Sequence, residues 1–255
     1  SYRNSLVLAT EVLLFGRIIA FFLYLFVAVL SKEELRAGRF EKKSMVALFK
    51  FGSWITISNI IGPFMTYLDR FFVGSILGMT AVTFYVAPYE VISRSKILSK
   101  SITSVIFPAF TTTLKNNIVS FVYLYKQSSN VLFFTMIPVV SFLFLLAPEL
   151  LNLWLGSDFV LNSLYVAQWL SAGWMINALA QPVAILLQSS GRPDLLAKTH
   201  MVELFPYLAL LWMLTGEFGI TGTAAAWFIR ATLDAIILNE IAGRVVVEIK
   251  NEVSL

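Results

Sequence analysis

Seven apolar runs, separated by short polar connections, organise the chain. They lie at about Leu6–Leu30, Phe51–Leu77, Val82–Phe110, Ser129–Ala147, Leu164–Leu187, Met201–Leu214 and Thr223–Ile241. A helix of roughly 18 or more apolar residues is long enough to cross a bilayer core of about 30 Å. Only helices or a closed barrel span lipid, because every backbone polar group must be satisfied internally. Barrel strands would be short and alternating, and these runs are neither. The pattern predicts an all-α, polytopic membrane helix bundle with about seven transmembrane helices. Pro63, Pro88, Pro138, Pro182 and Pro206 fall inside the runs. They predict kinks whose freed carbonyls are taken up by neighbouring groups.

Composition agrees with that pattern. Of 255 residues, 58% are hydrophobic and 13% charged. A soluble domain of this length would need more charge to cover its surface. There is no cysteine and a single histidine, His200. Disulfides and thiolate chemistry are excluded, and a zinc site or histidine-based triad is not expected. We expect no cofactor, no metal site and no catalytic residues. The chain opens at Ser1 without an initiator Met or a signal-peptide pattern. It is expected to be the C-terminal part of a longer protein.

The connections orient the bundle. The 31–50 stretch holds Lys32, Arg36, Arg39, Lys42, Lys43 and Lys50. Every second connection after it adds basic residues: Lys115 and Lys126, Arg192 and Lys198, Arg244 and Lys250. The alternate connections, "GMT", "PELLNLWLGSDFVLNS" and "GEFGIT", carry only Glu149, Asp158 and Glu217. This is a positive-inside pattern, with Arg3 as its one mild exception. The 31–50 linker and the C-terminus are expected to be cytoplasmic. The basic loops orient the protein and meet anionic membrane lipids. They are not interleaved with exposed aromatics, so no nucleic-acid partner is expected.

Ten charges lie at membrane depth: Arg17, Arg70, Arg94, Lys96, Lys100, Arg230, Glu11, Asp69, Glu90 and Asp234. Each costs at least ~2.5–3.5 kcal/mol at the bilayer centre unless it faces protein or water. They predict a hydrated cavity between helices. In the third run, Tyr85, Tyr89, Ser93, Lys96, Lys100 and Ser104 fall within an arc of about 100° on a continuous helix. Glu90 and Arg94 sit i,i+4 at its edge. That face is either one wall of an anion-accepting cavity or the wet side of an interfacial helix with snorkelling lysines. Arg230 and Asp234, also i,i+4, are expected to neutralise each other. His200 and Glu203 read as interfacial groups. Asn177, Gln181 and Gln188 share one face and can bond either a sugar or another helix. Asp69 and Arg70 are adjacent, so their side chains point about 100° apart and are not each other's simple partner.

The stretch "FGSWITISNIIGPFMTYLDRFFVGSILGMTAVTFYVAPYEV" (51–91) resembles the opening of the C-terminal lobe of Wzx-type oligosaccharide flippases. These belong to the multidrug/oligosaccharidyl-lipid/polysaccharide exporter superfamily. The matching features are Asp69, Val73-Gly74, Gly78, Ala81-Val82 and Tyr85, with "SVIFPAF" (104–110), "LLNLWLG" (150–156) and "LLQSSGRPD" (186–194). The resemblance covers about residues 45–243. It implies two lobes of six helices that alternate access by rocking. Residues 1–30 would be the last helix of the first lobe, and 31–50 the cytoplasmic inter-lobe linker. Residues 51–243 would form the six-helix second lobe, and 244–255 a cytoplasmic tail.

The resemblance further implies a flippase for undecaprenyl-diphosphate-linked oligosaccharide repeat units in the bacterial cell inner membrane. Such a protein serves export of O-antigen, capsule or exopolysaccharide. Arg94, Lys96 and Lys100, with Arg70 and Arg17, are the expected contacts of the diphosphate or of an anionic sugar. Tyr85 and Tyr89 are expected against sugar faces. Asp69 is a candidate for gating or ion coupling, or for a structural lock, and Glu90 for coupling or gating. Implied partners are the lipid-linked oligosaccharide, membrane lipids, and polysaccharide polymerase and chain-length regulator proteins. The competing readings are a cation-coupled multidrug exporter of the same fold and a membrane polysaccharide polymerase. The first would have a more acidic cavity. The second would need a larger extramembrane catalytic region.

Overall fold

The computed structural model describes residues 2–31 and 41–253. Lys32, Arg36 and Arg39 of the expected linker therefore lie outside the described residues. The chain divides into two compact units, Ser1–Phe49 and Lys50–Leu255. The first holds α1 (Tyr2–Ser31), largely apolar, with Leu13, Phe15, Phe22 and Tyr24 exposed. It also holds the opening turns of α2 (Lys42–Leu77), so part of the stretch read as a linker is helical.

The second unit continues with α3 (Met79–Ser93), α4 (Lys96–Asn116), α5 (Ile118–Leu145), α6 (Ala147–Leu155), α7 (Ser157–Ser189) and α8 (Pro193–Val253). Every described element is helical, as the apolar runs predict. Six runs are long and apolar enough to cross a membrane. The last of them cannot be a single rod. At 1.5 Å per residue, its 61 residues would reach about 90 Å, three times the bilayer core. Gly219 breaks it with φ 62 and ψ −147, a conformation that a residue with a Cβ rarely adopts. Cross-contacts then zip the two arms antiparallel. Thr215 and Thr223 hydroxyls meet at 2.9 Å, the Arg230 guanidinium lies 5.5 Å over the Tyr207 ring, and Arg192 pairs with Glu248 at 3.6 Å. The hairpin contributes two crossings, so the structure contains the seven spans read from the sequence. The expected 244–255 tail is helical as far as Val253.

Two connections differ from the sequence reading. The third apolar run is two helices, not one. Around Arg94 and Ser95 the amides bond three residues back, Arg94 to Val91 at 3.1 Å and Ser95 to Ile92 at 3.1 Å. The Ser95 hydroxyl takes the same Ile92 carbonyl at 2.7 Å, a local bond that competes with the helix ladder. The connection expected at 148–163 is helical as well. It forms α6 and the start of α7, with Leu151 buried and Leu153 and Trp154 exposed.

α7 is the axis of the second unit: 61% of its membrane-length window is buried, against at most 22% for any other. One core joins Met65, Tyr85, Leu170, Tyr207 and Leu211. Another joins Ile106, Phe110, Phe121, Leu187 and Leu238. Pro88 shows how a proline inside a helix is tolerated. A proline there leaves the Phe84 carbonyl without its helical donor, and the Ser163 hydroxyl of α7 donates to it at 2.7 Å. The same bond fastens α3 to the central helix.

Candidate functional site

A cavity of about 560 Å³ opens within the second unit. That volume is typical of small-molecule sites. Its walls come from α2, α3, α4, α7 and both arms of α8. Small residues make room for it: Gly62 beside Pro63 on α2, and Ala180 and Ala184 around Pro182 on α7. Gly173 sets the deep end differently. A Cβ there would collide with the Trp227 ring, and its absence lets Trp227 pack 5.3 Å from Trp174.

The charged lining is four cations, Arg70, Lys96, Lys100 and Arg230, against two carboxylates, Glu90 and Asp234. Arg70 is engaged through its terminal nitrogen and its face, while its Nε is buried without a hydrogen-bond partner among the described residues. It bonds Glu90 at 2.5 Å and lies 5.0 Å and 5.2 Å from the ring centres of Tyr89 and Tyr67. Lys96 rests its ammonium 5.7 Å from the Trp174 ring. Among the described residues, neither Lys96 nor Lys100 has an ion-pair partner within 4 Å. Both are exposed. On α7, Asn177, Gln181 and Gln188 present amides to the same space.

The structure brings together five of the residues singled out from the sequence: Arg70, Tyr89, Glu90, Lys96 and Lys100. Tyr89, Glu90, Ser93, Lys96 and Lys100 form a wall running from α3 into α4, and Arg70 lines the same cavity from α2. Arg94 is not part of it. Its side chain is 76% exposed and reaches back to Glu90 at 3.9 Å. Ser104 is exposed and also off the wall, because the break at Arg94–Ser95 interrupts the continuous helix on which the stripe was drawn. Tyr85 does not face the cavity. It is fully buried and donates its hydroxyl to Asp69 at 2.7 Å. Asp69 is fully buried too, and Tyr207 donates to its other oxygen. This carboxylate thus ties α2 to α3 and to α8, whereas its neighbour Arg70 points into the cavity. Arg17 belongs to the first unit, where it is exposed on α1.

The hairpin supplies the residues whose place was not legible. His200 and Asp234 line the cavity, with His200 Nε2 3.6 Å from Asp234 Oδ1. Asp234 therefore faces the opposite arm and makes no ion pair within 4 Å with Arg230, contrary to the i,i+4 expectation. Arg230 lies over Tyr207 and beside the Met65 sulfur at 3.7 Å. Glu203 is buried rather than interfacial, at 7% exposure. The only sequence signal for this cluster was four ionisable groups on two apolar runs.

Residues 6–163 match the model of a family described as polysaccharide biosynthesis protein. A Shigella flexneri protein named "Putative O-antigen transporter" is 34% identical over 93% of this chain and 56% of its own length. The "Probable low-salt glycan biosynthesis flippase Agl15" of Haloferax volcanii is 23% identical over 82% of the chain and 44% of its own length. "Teichuronic acid biosynthesis protein TuaB" of Bacillus subtilis is 25% identical over 67% of the chain and 35% of its own length. The chain thus spans about half the length, or less, of the curated relatives it matches. No solved structure matches it. The family match over more than half of the chain agrees with the Wzx-type resemblance of its motifs, and the chain belongs to the polysaccharide biosynthesis protein family.

Proposed function

We propose that this chain is part of a flippase that moves lipid-linked oligosaccharide repeat units across the bacterial inner membrane for surface polysaccharide export. The observation that carries the reading is the pair of cations without ion-pair partners, Lys96 and Lys100, in the wall of a polar cavity inside a membrane bundle. A charge in that setting is costly unless something uses it. A diphosphate offers the matching negative charge and acceptors. The amides of Asn177, Gln181 and Gln188 suit sugar hydroxyls, and the faces of Trp174 and Tyr89 suit sugar rings. The polyprenyl tail stays in lipid. The names of the relatives, an O-antigen transporter and a glycan biosynthesis flippase, support the same direction.

In this reading α1 is the last helix of a first lobe, and residues 51–243 form the second. The basic 31–50 stretch and the C-terminus face the cytoplasm, as the positive-inside pattern requires. Polymerase and chain-length regulator proteins are the proposed downstream partners. The test is complementation of a strain lacking its own flippase by the full-length gene. Lys96→Ala/Lys100→Ala is expected to abolish surface polysaccharide while the protein stays in the membrane at wild-type level. Full complementation by that variant would remove the lysines from the substrate path.

A further inference from the structure

We propose that Gly173 is a positioning residue that sets the size of sugar the cavity accepts, acting through the ring of Trp227. The inference rests on the flippase reading and adds a determinant of its selectivity. It starts from a close approach. A Cβ on Gly173 would lie 2.3 Å from Cζ3 and 2.6 Å from Cε3 of Trp227. Ordinary contact begins at 3.4 Å, so the six-membered ring of the indole occupies the place a methyl group would take. The other glycine of this cavity behaves differently. A Cβ on Gly62, in the α2 wall, would meet nothing within 4 Å. The need for glycine is therefore particular to position 173, and its cause is one aromatic ring.

Trp174 and Trp227 both line the cavity and both belong to the core that includes Leu170 and Ala224. Trp227 is 3% exposed and Trp174 5%. Their rings stand 5.3 Å apart at 43° and form a corner. Each shows the cavity only a small area. The corner is thus a stop of fixed position, not a surface that wraps a ligand. Where it stands depends on how far Trp227 recedes toward α7. A methyl at position 173 would push the ring by about 1 Å before contact became ordinary. A close-packed interior has no void of that size to receive it. The space open to the ring is the cavity, which would become shallower at this end. The change falls beside Trp174, on whose ring Lys96 rests at 5.7 Å. It alters the room for a ligand without removing a charge or a hydrogen-bonding group.

A pocket that reads size through a fixed wall separates ligands differing by one methylene by about tenfold or more. An advanced wall excludes a unit that only just fits and leaves a smaller one unaffected. Gly173→Ala is therefore expected to change selectivity, whereas loss of Lys96 and Lys100 is expected to stop every unit.

The test uses the full-length gene in a strain lacking its own flippase. The strain makes either a complete repeat unit or one short of its terminal sugar. Surface display of each unit is read with an antibody or lectin specific for it, against the membrane level of the protein. The wild type is expected to display both. Gly173→Ala is expected to lower display of the complete unit about tenfold and of the short unit less than about twofold. Gly173→Ala/Trp227→Leu removes the ring that the methyl displaces and is expected to restore the complete unit. Trp227→Leu alone opens the same end without a new methyl. It is expected to display a unit bearing one further sugar about tenfold better than the wild type, and it decides the matter should Gly173→Ala not reach the membrane. Equal losses of both units in Gly173→Ala at wild-type protein level would overturn the proposal. So would no loss of either, or a double variant that fails to restore the complete unit. Those outcomes leave the flippase reading standing. A wild type that displays neither unit sinks that reading, and this inference with it.

Discussion

Asp69, Glu203 and Asp234 are all carboxylates buried inside a membrane bundle, and the protein treats the first differently from the other two. Asp69 receives one tyrosine hydroxyl on each oxygen, from Tyr85 and Tyr207. Each donor comes from a different helix, so the carboxylate works as a three-helix fastener. Both oxygens of Glu203 and Oδ1 of Asp234 have no hydrogen-bond partner among the described residues. What separates the two sites is the supply of donors, not depth, since both lie almost entirely out of solvent. A buried carboxylate with its hydrogen bonds complete is fixed structure. One without them is poised to take up whatever completes it.

That contrast is sharpest at Asp69. Asp69→Ala strips the acceptor from two buried hydroxyls and is expected to cost about 3 kcal/mol. The measurement is the midpoint of thermal unfolding of the purified protein in detergent, at fixed scan rate. A fall no larger than that of an exposed control would show that the fastener is dispensable. Tyr207→Phe removes one donor and leaves the other. It is expected to cost about 1–2 kcal/mol, and Asp69→Ala in that background should cost less than it does alone, because the two changes share one interaction. Additive losses would mean the two groups act separately.

Arg70 and Glu90 are only partly buried, at 25% and 44% side-chain exposure, so solvent screens them. Arg70→Met is expected to cost about 1 kcal/mol, and Arg70→Met/Glu90→Met to recover part of it. The smallest effect is expected at the hairpin. Glu203→Gln should leave the unfolding midpoint unchanged or raise it slightly, by under about 1 kcal/mol, since the amide supplies the missing donor. A large loss there would erase the distinction from Asp69.

Much of the frame was readable before any coordinates. Seven apolar runs became seven crossings because lipid tolerates only a backbone that satisfies itself. The need for a cavity was legible from charges too deep to be free, and Arg70, Tyr89, Glu90, Lys96 and Lys100 do line one. That Pro88 frees a carbonyl was legible too, though not that Ser163 would bond it.

The rest waited on tertiary contacts. Nothing local says that Tyr85 turns inward to Asp69 while Tyr89, one turn on, reaches the cavity. That choice depends on Tyr207, which arrives from the far hairpin. A 100° wheel assumes an unbroken helix, and the three-residue bonding at Arg94–Ser95 ended it, taking Arg94 and Ser104 off the wall. The i,i+4 spacing of Arg230 and Asp234 suggested a pair, but rotamers and the opposite arm gave Asp234 to His200 instead. Hydrophobicity and charge act residue by residue and along one helix, so the sequence carries them directly. Which polar groups meet is settled by how the helices pack, and at this site that meant the turn at Gly219 that folds His200 back against Asp234.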